Sequence, residues 1–193
     1  MPDTVRCFVA IEIDEQIREG TRDLVSSLSS LPTKVGWVRP ENMHLTIRFL
    51  GEQAREKLQS ISEALSKAGE GIKPFKLSYG KLGVFPPRGA PRTIWVGVDG
   101  EMKTLQLFHQ RLSDEFLKLQ IKKEKRRFSP HLTIGRVRGK ITFSQWQKVS
   151  KGMEKIFLGD TLVKKALLIQ SELLPGKPPR YTCLSTVTFG ESS

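Results

Sequence analysis

The "HLTI" of "MHLTIRFLG" (43–51) returns, letter for letter, in "PHLTIGRVRG" (130–139). The chain has three histidines, and two of them, His44 and His131, open these copies. In an extended strand, alternate side chains share a face. His44 and Thr46 therefore point one way and Leu45 and Ile47 the other. His131 and Thr133 stand before Leu132 and Ile134 in the same manner. Each copy offers an imidazole and a hydroxyl about 7 Å apart on one rigid element. One such pair on the open face of an antiparallel sheet is ordinary. Two pairs in phase with a repeat are not.

Outward from the motifs, "VRCFVAIEI" (5–13) alternates as a strand. Asp14 is placed to cap a helix with Ile17, Thr21, Leu24, Leu28 and Leu31 inward, ended by Pro32. "KVGWV" (34–38) reads as a strand, separated by the turn-rich "RPEN" from the first motif strand. A second helix carries Ala54, Leu58, Ile61, Leu65 and Ala68 on one stripe and stops at Gly69 and Gly71. Strands follow over 75–85 and 92–98, joined by "PPRGAP", then a third helix over 101–121 with Leu105, Phe108, Leu112, Phe116 and Leu119 inward. The basic "KKEKRRF" (122–128) leads to the second motif. Ser144 and Gln147 have capping-box spacing for a fourth helix with Trp146, Val149, Met153 and Ile156 inward. "TLVKKALLIQSEL" (161–173) and "RYTCLSTVTF" (180–189) read as two closing strands.

His44 and His131 stand 87 positions apart, and the second and fourth helices start about 90 apart, so a matching period runs through the chain. Both halves read helix, strand, motif strand, helix, strand. The expectation is a duplicated unit, with repeats over 1–90 and 91–193 in a single bilobal domain. The boundary moves towards 99–101 if strands are exchanged between lobes. A pseudo-twofold axis would then turn two histidines and two threonines onto one site.

Histidine is the side chain whose ordinary pKa allows both proton removal and donation near neutral pH. A base and an acid on opposite sides of a centre suit in-line displacement at phosphorus, with water attacking and a ribose oxygen leaving. The threonine hydroxyls can donate to non-bridging oxygens as their charge builds. His44 and His131 lack a carboxylate or cysteine at chelating spacing, so no metal and no cofactor is expected. No strand-turn-helix elbow surrounds a nucleophilic Ser or Cys.

With 32 Lys and Arg against 20 Asp and Glu, the net charge is +12. Such a field attracts polyanions, nucleic acid first and an acidic membrane surface second. Cys7 and Cys183 are the two cysteines, expected as buried thiols in strands. No leader-like h-region opens the chain and no long apolar run exists, so a cytoplasmic protein without a membrane partner is expected.

The paired "HLTI" strands, with "RCFVAIEI", "FPPRGAPRTIWVGV", "FSPHLTIGR" and "RYTCLSTVTFG", resemble the 2H phosphoesterase superfamily. More closely, the chain is similar to the RNA 2′,3′-cyclic phosphodiesterases, also called 2′-5′ RNA ligases. The resemblance implies a bilobal α+β fold, with two antiparallel sheets lining a central cleft and helices outside. It implies metal-free hydrolysis of RNA 2′,3′-cyclic phosphate ends to 2′-phosphate, His44 acting as proton donor and His131 as proton acceptor beside Thr46 and Thr133. The partner would be an RNA end, tRNA fragments included, and the protein a monomer. Other substrates for the same site are a 2′-5′ linkage made or broken, a small cyclic nucleotide or an ADP-ribose cyclic phosphate. The rival of another class is a non-catalytic RNA-binding protein.

Two arginines are substrate-binding candidates. Arg48 keeps the parity of His44 under strict alternation. Arg136 needs a bulge near Gly135 to turn inward, and the family resemblance favours a phosphate contact there. "KKEKRRF", Arg88 and Arg92 are candidates to meet RNA, and Phe8, Trp37, Tyr79 and Phe85 to stack a base. His109, at the margin of a helix stripe, is expected to be structural or exposed.

Overall fold

The computed structural model describes residues 3–124 and 126–190. Their elements run β1 (Thr4–Glu12), α1 (Glu15–Ser27), β2 (Val35–Trp37), β3 (His44–Ala54), α2 (Leu58–Gly69), β4 (Phe75–Phe85), β5 (Thr93–Gly100), α3 (Met102–Lys118), β6 (His131–Val137), α4 (Phe143–Ser150), β7 (Phe157–Val163), β8 (Lys165–Glu172) and β9 (Arg180–Thr188). The fold is α+β. Two sheets, ordered β3-β1-β8-β9 and β2-β6-β5-β4-β7, contain antiparallel neighbours throughout.

The connections interlock. β3 pairs with β1 across the helix α1 between them in sequence, and β6 pairs with β5 across α3. The strand after α2, β4, then crosses to pair with β5, while β8, late in the chain, returns to pair with β1. The helices follow suit: α1 packs on β7, α3 on α2 and β3, and α2 on β9.

Amphipathic stripes explain the packing. Ile17, Thr21 and Leu24 of α1, and Leu105, Phe108, Leu112 and Phe116 of α3, are buried. Their apolar members enter the main core together with Leu45 and Ile47 of β3 and Leu132 and Ile134 of β6, each large apolar side chain contributing about 1.5–3 kcal/mol. A second, smaller cluster of Phe8, Ala10, Leu167 and Ile169, with Tyr181 against it, lies on the other face of the first sheet.

Several local expectations change. Ala54 ends β3, and a 3₁₀ turn at Arg55–Lys57 delays α2 to Leu58. The capping box of α4 is Thr142 with Gln145, not Ser144 with Gln147: Thr142 Oγ1 accepts from the Gln145 backbone and Gln145 Oε1 from the Thr142 N–H. α4 stops at Ser150, so Met153 and Ile156 pack from beyond it. The stretch 161–173 breaks at Lys164 into the end of β7 and the whole of β8. Among the described residues, no strand corresponding to β2 lies between α3 and β6. Cys7 is buried as expected, whereas Cys183 is exposed.

Candidate active site

Both motif strands carry the same irregularity. On β3, Thr46 faces Ala10 and Arg48 faces Val9, leaving Ile47 without a partner. On β6, Thr133 faces Trp95 and Gly135 faces Ile94, leaving Ile134 without one. These β-bulges invert the alternation beyond the threonine. The fifth residue after each histidine therefore rejoins the histidine's face, and the fourth turns to the core.

That inversion decides the two arginine candidates in opposite ways. Arg136, fifth after His131, is exposed on the face of His131 and Thr133. Arg48, fourth after His44, is 1% exposed. Its guanidinium donates to the Lys122 carbonyl at 2.6 Å and pairs with Glu124 at 3.0 Å. Arg48 is thus occupied behind the sheet and does not reach the face of His44, which corrects the expectation of a substrate contact. The residue on that face is Phe49, 56% exposed. Gly135, the counterpart of Arg48, sits where a Cβ would come within 2.7 Å of the Trp37 ring.

The imidazoles are held alike. His44 Nδ1 lies 2.8 Å from the Asn42 carbonyl and His131 Nδ1 lies 2.7 Å from the Ser129 carbonyl. A carbonyl can only accept, so Nδ1 carries the proton in both rings and Nε2 is the nitrogen left for chemistry. Asn42 and Ser129 each stand two residues before their histidine, and because the contact is made by backbone, no residue type announced it.

Aromatic side chains fix the ring planes. Phe8 stacks on His44 at 4.7 Å, and Tyr181 meets the same ring edge-on at 5.2 Å. Phe85 meets His131 edge-on at 5.0 Å, with Trp95 at 6.4 Å. Trp95 lies across Gly83, where a Cβ would come within 2.3 Å of the indole. Of the proposed stacking residues, Phe8 and Phe85 do line the histidines, whereas Tyr79 is fully buried and Trp37 packs on Gly135. Trp95, Tyr181 and Phe49 are members of this face that strand patterning alone did not single out.

Burial pushes His44 down to about 4, opposed by the Asn42 carbonyl. The Tyr181 phenol is raised by burial, with the Arg136 and Arg6 charges opposing. β3 and β6 lie against each other, and Asn42 donates to the Pro179 carbonyl at 3.2 Å. The strands that carry His44 and His131 thus stand side by side.

Elsewhere, His109 stacks on Phe128 at 4.0 Å, a structural role. Within the basic run, Lys123 pairs with Asp114 and Glu124 with Arg48. Arg126 and Arg127 are exposed, and Lys125 lies outside the described residues. Arg88 and Arg92 are exposed at the lip beyond Phe85. Among the described residues, no three of His, Cys, Asp and Glu gather as a metal site. No helix among them is long and apolar enough to cross a membrane.

Two sheets that meet along twin His-x-Thr strands define a protein of the 2H phosphoesterase class. A family model described as LigT like Phosphoesterase matches residues 11–95. An RNA 2′,3′-cyclic phosphodiesterase of Methanothermobacter thermautotrophicus is 32% identical over 174 residues, 90% of this chain and 94% of its own. One of Archaeoglobus fulgidus, of the same name, is 40% identical over 136 residues, 70% of this chain and 74% of its own. A crystal structure from Thermus thermophilus superposes with a TM-score of 0.80 at 25% identity, covering 95% of this chain and 97% of that one. The fold is shared as well by E. coli LigT crystallised with 3′-AMP, with a TM-score of 0.79 at 23% identity over 97% of this chain and 99% of that one. The chain belongs to the LigT-like phosphoesterase family.

Proposed function

We propose that this protein hydrolyses RNA 2′,3′-cyclic phosphate ends to 2′-phosphates by metal-free acid–base catalysis. The observation that carries the reading is the matched clamp on His44 and His131, which leaves Nε2 of each ring for proton transfer. The names of the relatives support the substrate.

In this reading, water attacks phosphorus as His131 Nε2 takes its proton. The bond from phosphorus to O3′ breaks, and O3′ receives the proton from Nε2 of His44 in its acid form. Thr46 and Thr133 donate hydrogen bonds to the non-bridging oxygens, and Arg136 offsets their charge. The bound phosphate anion counters the desolvation of His44 and raises its pKa towards the working range. His44 is thereby loaded as acid when substrate arrives.

The finer reading is a cytoplasmic monomer acting on RNA ends that include tRNA fragments. One chain carries both histidines, so the site needs no second copy. The exposed free thiol of Cys183 is suited to a reducing compartment. The period of the chain supports units near 1–90 and 91–193 in one bilobal domain.

The test is to incubate the protein with an oligoribonucleotide ending in a 2′,3′-cyclic phosphate, with EDTA present, and to identify the new terminus. A 2′-phosphate is expected. His44→Ala and His131→Ala should each lower kcat by about 10²- to 10⁴-fold while the far-UV circular dichroism is kept. Full turnover in either variant would remove the assignment.

A further inference from the structure

The positive charge of this chain is not evenly spread. No Asp or Glu occurs in residues 24–40, 71–98 or 125–153. These three runs contain β2, β4, β6, α4 and β5 up to Val98, so four of the five strands of the second sheet are almost free of carboxylate. The first sheet differs, because carboxylates stand beside its cations. Lys165 pairs with Glu12 at 2.8 Å, Arg180 with Glu172 at 3.6 Å, and Arg6 stands opposite Glu52 in the strand register.

On the second sheet the cations form a path. Arg136 faces Gly36 and Thr93 across the strands on either side. A Cβ on Gly36 would lie 3.1 Å from Arg138 Nε, so the Arg138 side chain lies over Gly36 on the same face as Arg136. One strand step of two residues separates these arginines by about 7 Å, comparable to the reach between neighbouring phosphates of an extended RNA strand. The Val137 N–H bonds to the Arg92 carbonyl at 2.9 Å, carrying the path to the 86–92 loop. Beyond it lies a groove of about 680 Å³ whose lining includes Arg92, Lys140, Thr142 and Gln145 and no carboxylate. Among the described residues, none of Arg92, Arg136, Arg138 and Lys140 is paired with a carboxylate.

We infer that single-stranded RNA upstream of the terminal phosphate leaves the cleft over the β6–β2 edge, through Arg136 and Arg138, into the groove between the 86–92 loop and the start of α4. The inference rests on the proposed reading of the cleft as the seat of the RNA end. It adds a direction: the body of the RNA lies on the second sheet and not across the first. Unpaired cations on a rigid strand bind successive phosphates without selecting sequence, so the surface serves any RNA carrying the right end.

The deciding measurement is binding, read by fluorescence anisotropy. The probes are a labelled ten-nucleotide RNA ending in a 2′-phosphate and the corresponding mononucleotide, across 50–200 mM salt. Arg138→Glu/Lys140→Glu should weaken the decamer at least about tenfold more than the mononucleotide and reduce the salt slope by about 1.4, two contacts at about 0.7 each. The control Lys103→Glu/Lys164→Glu makes the same change in net charge far from the path and should cost the decamer no more than about threefold. Equal losses in both double variants, or no loss in the first, overturn the path. Turnover by the unaltered protein is assayed separately. A protein that binds as expected but leaves the cyclic phosphate intact would keep the RNA surface and remove the hydrolytic reading.

Discussion

At the scale of the residue, His44 shows how environment sets the behaviour of a common side chain. Its carbonyl partner holds the proton on Nδ1, while burial between Phe8 and Tyr181 disfavours a second proton. The stability consequence has a definite sign. In the unfolded chain the ring takes a proton near 6.5, and in the folded protein near 4. Between those values the unfolded state binds more protons, so stability falls as pH drops from about 6.5 to about 4, by up to about 3 kcal/mol. Above that window His44 is neutral in both states and contributes no slope. Urea titrations at pH 7.5 and 4.5 should show this loss, and His44→Gln should reduce it. The same shift bears on catalysis, because kcat/KM reports the free enzyme and kcat the complex. If His44 is the acid, the falling limb of kcat/KM with rising pH lies well below that of kcat. Coincident limbs would argue for another donor.

At the scale of the element, the β-bulge is the decisive device. One unpaired isoleucine in each motif strand, Ile47 and Ile134, turns Arg136 towards the cleft and Arg48 away from it. Arg48 acquires another task. It ties β3 to the 122–124 segment, which leads to the Ser129 carbonyl that orients His131. Arg48→Met should lower stability by about 1–3 kcal/mol, since Glu124 and the Lys122 carbonyl lose their partner. It should also lower kcat more than it raises KM, as the His131 clamp loosens. Arg48→Lys should restore part of the stability but less of the turnover, because lysine cannot meet both partners with a planar fork. Gly83 is a second sensitive point. Gly83→Ala drives a methyl into the Trp95 ring, and a cost of about 1–3 kcal/mol follows from overpacking, visible as a lower melting temperature and a changed Trp fluorescence.

At the scale of the whole molecule, the two sheets are built by exchange. β4, from the first half of the chain, pairs with β5 and β7, and β8, from the second half, pairs with β1 and β9. Neither half can complete its sheet alone. Expressed separately, fragments 1–90 and 91–193 should lack cooperative unfolding and near-UV dichroism, and mixing should recover some of both. A fragment that melts cooperatively by itself would show that the exchange is dispensable.

Much of this was legible in the order of the residues. Alternation in "HLTI" put His44 with Thr46 and His131 with Thr133, since the pleat of a strand leaves a side chain only two faces. The 87-position spacing and the helix stripes gave the expectation of two matching units, because burial rewards those periods wherever the chain folds, whereas among the described residues the second unit has no counterpart of β2. Gly135 hinted at a bulge on β6, but local sequence carries no such signal on β3, and both bulges depend on how β3 and β6 register against β1 and β5. The fates of Arg48 and Arg136 were therefore open until pairing was known. The rings of Tyr181 and Trp95 beside the imidazoles and the course of the carboxylate-poor path from β6 to the 86–92 loop arise from segments far apart in the chain. Only the tertiary structure decides such contacts, because only folding sets the distances between them.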